Sequence, residues 1–152
     1  MGFRFLRNDI DGIGILSLVN IQANNPPKRG RCGKEFYYQM GELGWFRDMR
    51  VELIDGEVYQ MSPIVSHHAV SVILVSQALQ AVLPESFFIY PQSPLDSAPR
   101  SEPVPDVAVI RGAVRDYSES LPQISDLVVE VEDSSFRHDR TVKAGLYASS
   151  CI

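Results

Sequence analysis

The sequence is poor in the features that would assign a class at once. It has 2 cysteines in 152 residues, Cys32 and Cys151, near opposite ends and without ligand-like spacing, so neither a disulfide framework nor a zinc site is expected. Both read as free thiols of a reducing cytoplasm. Positive charge is also short: 14 Lys and Arg against 19 Asp and Glu leave a net charge of -5, which gives no bulk attraction for polyanions. A nucleic-acid partner would then have to be met by a local basic patch together with bound cations. Long apolar runs are missing too. The longest stretch, Ala69 to Leu83, carries Ser71, Ser76, Gln77 and Gln80, and is too short and too polar for a membrane span. At the N-terminus Arg4 and Arg7 precede an apolar run from Ile13 to Ile21, but Asp9 and Asp11 interrupt the charge pattern of a signal peptide, and export is not expected. No internal repeat is visible.

What is present fits one soluble globular domain, with 45% hydrophobic and 22% charged residues. Residues 1–25 show no period and lead into Pro26, Pro27 and a basic cluster of Lys28, Arg29 and Arg31, so this segment is expected to be an unassigned tail, with the domain spanning 26–152. Phe36, Met40 and Leu43 recur at helical spacing, and Gly44 is placed to end that helix in a left-handed conformation. Val51 to Met61 alternates around Asp55-Gly56, the dipeptide of a two-residue hairpin turn. Ser66 to Leu83 follows as the main helix, apolar on most faces and therefore expected against a sheet with little exposed surface; Pro84 stops it. Phe87 to Tyr90 reads as an aromatic strand, the prolines from Pro91 to Pro105 as a rigid extended loop, and Val107 to Ile110 as a second strand. Asp126 to Asp133 reads as a third strand and Asp139 to Ser149 as a last amphipathic helix, with Val142, Leu146 and Tyr147 on one side.

Acidic groups gather at the ends and interiors of these strands. Asp106 follows Pro105 and opens an apolar strand, while the two-residue period puts Glu130 and Glu132 on the face opposite Val129 and Val131. A carboxylate flanked by valines is costly to bury unless a cation neutralises it, and a magnesium ion, which takes one or two carboxylates and keeps several waters, would do so. Lys143 on the following helix would add a positive charge suited to a phosphate or a hydroxide nucleophile. Plainer readings stand beside these. On the residues alone Asp106 reads first as a strand-start turn residue after Pro105 and Lys143 most simply as a solvated i, i+4 partner of Asp139, while Glu130 and Glu132 also suit the solvent face of an edge strand. His67 and His68, adjacent on a helix and so pointing apart, suggest capping or packing; Arg137, His138 and Arg140 suit either a phosphate-contacting rim or an ordinary charged helix entry.

The run Arg50-Val51-Glu52-Leu53-Ile54-Asp55-Gly56-Glu57, then Met61-Ser62-Pro63 with His68, Ser101-Glu102-Pro103 with Pro105-Asp106, Val129-Glu130-Val131 with Asp133-Ser134-Ser135, and Asp139-Arg140, Lys143 and Tyr147-Ala148, together resemble the Uma-type restriction endonuclease family of the PD-(D/E)XK nuclease superfamily. The resemblance runs from about Pro26 to the C-terminus and lies in the order and spacing of these pieces. It implies an α/β, restriction-endonuclease-like fold, a mixed central sheet flanked by helices, and a magnesium- or manganese-dependent endonuclease acting on DNA. DNA and a second copy of the chain are the partners this reading entertains, with no membrane. By the same resemblance Asp106 and Glu130 are metal-binding and catalytic, and Lys143 supplies the catalytic cation from the helix, because Glu132 occupies the strand position where the superfamily lysine usually stands. Glu52, Gln92 and Glu132 are implied as cleft-lining residues. Members of the family continue past the lysine helix into a further strand, whereas this sequence stops at Cys151-Ile152, so a C-terminally shortened copy with its last strand missing is expected. A non-catalytic remnant or nucleic-acid-binding module that keeps the fold is the rival.

Overall fold

A computed structural model of the chain describes residues 4–10, 13–19, 30–131, 143 and 145–147, the first two spans as backbone only. The described residues fall into two units, one running to Pro63 and taking in Pro99–Ser101, the other formed by Ile64–Ala98 and residues from Glu102 onward.

In the first unit the strands β1 (Arg4–Ile10), β2 (Ile13–Val19), β3 (Val51–Ile54) and β4 (Glu57–Gln60) make an antiparallel sheet of order β1-β2-β4-β3, accompanied by helix α1 (Lys34–Glu42). The segment read as an unassigned tail thus carries two strands, of which β2 pairs with β4 through Ile15↔Tyr59 and Leu16↔Val58. The hairpin forms at the expected dipeptide. Asp55 (φ 46°) and Gly56 (φ 79°) both take the left-handed conformation that a type I′ turn needs, and Ile54 pairs with Glu57 across it. The loop residues 99–101 tie down this turn, because Asp55 N donates to Ser101 Oγ and Gly56 N to Arg100 O. Gly44 ends α1 with φ 78°, as its position predicts. Of the expected core face of α1, however, only Met40 is buried, at 2% exposure against 72% for Leu43. Tyr37 takes the place of Phe36 and Leu43, so that the core consists of Cys32, Met40 and the cross-strand pair Leu53 and Val58, with Tyr37, Trp45, Phe46 and Val51 around them.

The second unit contains α2 (Ser66–Gln80) and an antiparallel sheet of order β5-β6-β7, with β5 at Phe87–Pro91, β6 at Val107–Arg111 and β7 at Leu127–Val129. The expected β5 and β6 are found within a residue, while β7 is shorter than the stretch Asp126 to Asp133. All pairings among the described residues are antiparallel, where a mixed central sheet was expected. β6 pairs on both edges and is buried from Val107 to Ile110, which explains why its sequence is continuously apolar rather than alternating. Its inward residues Ala108 and Ile110 pack with Phe88 and Leu95, and Tyr90, Tyr117 and Val128 close over them. Arg111 fastens the end of the sheet by lying 4.7 Å over the Phe87 ring and donating to Asp126 at 2.7 Å. The proline-rich loop is held inward by the fully buried Leu95, whose N–H donates to Pro103 O. α2 packs on β5 and β6 but is not the enclosed helix expected from its composition. Only Val72 is fully buried, and Val70, Ile73 and Leu74 are more than half exposed, because a three-stranded sheet covers one stripe of a helix that is apolar all round.

Candidate functional site

The β6–β7 ladder ends at Val107↔Val129, so the next residue on each strand, Asp106 and Glu130, face one another at its edge. The backbone amide of Asp106 donates to Glu130 Oε2 at 3.3 Å, and the amide of Val131 donates to Asp106 Oδ2 at 2.8 Å. These reciprocal bonds hold both carboxylates at the ends of adjacent strands, with sheet geometry setting their spacing. The other oxygens are held by helices. His68 Nε2 of α2 lies 2.9 Å from Asp106 Oδ1, while Tyr147 donates its hydroxyl to Glu130 Oε1 at 2.7 Å and Lys143 Nζ lies 3.5 Å from that same oxygen.

This is not a set of solvated surface charges. The side chains of Lys143, Asp106 and His68 are 8%, 14% and 18% exposed. Glu130 keeps an open rim at 31%, yet burial of its carboxylate is the largest influence on it and raises its pKa. The Lys143 ammonium and the Tyr147 hydroxyl pull the pKa down, Asp106 pushes it further up, and the balance stays upward. A carboxylate held in this state gains from a second positive charge.

Of the residues singled out in the sequence, the structure brings Asp106, Glu130 and Lys143 together. Gln92 adjoins them through its backbone, donating N–H to Asp106 O at 3.1 Å from a left-handed conformation (φ 45°); its side-chain Nε2 is buried and has no hydrogen-bond partner among the described residues. Glu52 lies on β3 in the first unit, buried and opposite Tyr59. Glu132, Arg137, His138, Asp139 and Arg140 lie outside the described residues. Two participants were missed. His68 reads from sequence as a capping or packing residue, and its place in the motif set was the only signal. Tyr147 stands four residues after Lys143, a spacing that puts both on one helix face, but it reads as an apolar core residue.

Asp106 and Glu130 are the residues that could hold a metal, because carboxylate oxygens are hard donors of the kind magnesium takes. Among the described residues, no group of three or more His, Cys, Asp or Glu side chains is placed to hold a metal ion.

The meeting of a proline-preceded aspartate, a strand-end glutamate and a helical lysine on an α/β scaffold is consistent with the PD-(D/E)XK nuclease superfamily, which the family match shows. Residues 35–152 match the model of the Uma2 family, described as a putative restriction endonuclease, and the chain belongs to that family. No curated protein and no solved structure matches it. Among the described residues, no helix is long and apolar enough to cross a membrane.

Proposed function

We propose that this chain is a magnesium-dependent endonuclease, with manganese as a substitute, that hydrolyses phosphodiester bonds in DNA. The observation that supports it most directly is the placing of Lys143 Nζ 3.5 Å from Glu130 while the backbone of Asp106 is bonded to the same carboxylate. Asp106 and Glu130 would hold the cation. Bound there, magnesium would supply Lewis-acid polarisation of a phosphoryl oxygen and acidify water. Lys143, desolvated on its helix, offers a fixed positive charge to the phosphate as negative charge builds on it, at no cost in reorganisation. Tyr147 fixes Glu130 Oε1, so that this carboxylate presents one orientation. With a net charge of -5 the chain as a whole repels DNA, and the approach depends on local cations such as Lys143 and on bound metal.

The test is cleavage of supercoiled plasmid with magnesium, with manganese and with EDTA. Wild-type protein is expected to nick or cut only with metal, and Asp106→Ala to lose at least about 100-fold in rate. Metal-independent retention of plasmid without cleavage by wild-type protein would instead identify a non-catalytic nucleic-acid-binding module.

A further inference from the structure

His68 is the third residue of α2, a helix whose N-cap residue, Val65, makes no side-chain capping hydrogen bond. The His68 ring spans to the start of β6 and meets Asp106 Oδ1 at 2.9 Å, with both side chains largely buried. A carboxylate oxygen accepts, so the ring nitrogen is the donor at this contact. The opposite oxygen of Asp106 is already held by the Val131 amide. With one oxygen tied to the sheet and the other to the helix, the carboxylate plane is set. Without the ring, the Asp106 side chain would keep one anchor and swing about its terminal torsion, which is broad and roughly two-fold.

We infer that His68 is a positioning residue: by donating to Asp106 Oδ1 it locks the carboxylate plane, leaving the remaining lone pairs aimed for a divalent cation. This rests on the metal-binding reading proposed above. His68 itself does not touch the cation. Outer partners of this kind change metal affinity without contributing a ligand, commonly by about 10- to 100-fold.

The experiment is an EPR titration with manganese, read as affinity, alongside thermal melts of each variant. His68→Phe keeps the ring volume and removes the donor; it is expected to weaken manganese binding about 10- to 100-fold at a melting temperature close to wild type. His68→Gln keeps an N–H at similar reach and is expected to stay within about 3-fold of wild type. Asp106→Ala is expected to abolish binding, leaving the signal of free manganese undiminished. If Asp106→Ala abolishes binding and His68→Phe leaves it unchanged, the positioning role is wrong and the metal site stands. If His68→Gln falls as far as His68→Phe, the donated hydrogen bond is not what matters and the inference fails. If wild-type protein binds no manganese, or binds it equally well without Asp106, the inference falls together with the metal site.

Discussion

The hairpin of the first unit and the candidate site of the second are both made of strand ends and acidic residues, but they are put together differently. At Asp55-Gly56 the geometry arises within four residues: two positive φ values close the turn and the alternation of β3 and β4 sets which side chains are buried. Asp55 is spent on exposed ion pairs with Arg31 and Arg100. At Asp106 and Glu130 the partners come from α2, from the ends of β6 and β7, and from the helical residues Lys143 and Tyr147. Acidic residues at an exposed turn are interchangeable with other turn formers. Acidic residues that have been desolvated by long-range packing are not, and it is there that a buried charge can be turned to chemistry.

Four substitutions would break or sharpen this contrast. The largest effect is expected where packing builds the second unit: Leu95→Ala removes a fully buried side chain from the cluster with Phe88, Ala108 and Ile110 and should cost about 2–5 kcal/mol in urea unfolding. A loss well below 1 kcal/mol would show that the loop is not part of the core. Next comes Gly56→Ala, which puts a Cβ at φ +79° and 2.7 Å from Arg31 Cβ, with Cys32 O at 2.9 Å. The backbone strain and the overpacking together should cost about 2–4 kcal/mol, measurable by the same method.

Smaller, and specific to the site, is the pH dependence set by Glu130. Its folded pKa is raised, so the folded state binds this proton more tightly than the unfolded chain. The linked stability is fully present below the unfolded pKa and is lost as pH rises through the raised folded value. Glu130→Gln should remove that decline, and unfolding curves taken from acid to neutral pH on both proteins check it; equal slopes would mean the glutamate titrates normally. The smallest effect is expected for Asp55→Asn, which keeps a side chain that tolerates positive φ and deletes only ion pairs to Arg31 and Arg100 on a residue 55% exposed. A change under about 1 kcal/mol that disappears in salt is expected. A larger, salt-independent loss would show that the turn depends on its charges after all.

The amino-acid sequence by itself determined the features that close within a few residues: the Asp55-Gly56 hairpin, the end of α1 at Gly44, and the positions of β5 and β6 between their prolines. Through the order of its motifs it also indicated Asp106, Glu130 and Lys143 as one group. It did not show that His68 rather than solvent meets Asp106, that Tyr147 meets Glu130, that α2 leaves Ile73 and Leu74 exposed, or that Arg4–Ile10 and Ile13–Val19 form strands. The reason is physical. A turn is decided by the φ preferences of two residues, whereas His68 and Asp106 are 38 positions apart, and whether they touch depends on how α2 is rotated on the sheet. A helix as evenly apolar as α2 leaves that rotation undetermined, so only packing against β5 and β6 decides which of its residues reaches the carboxylate.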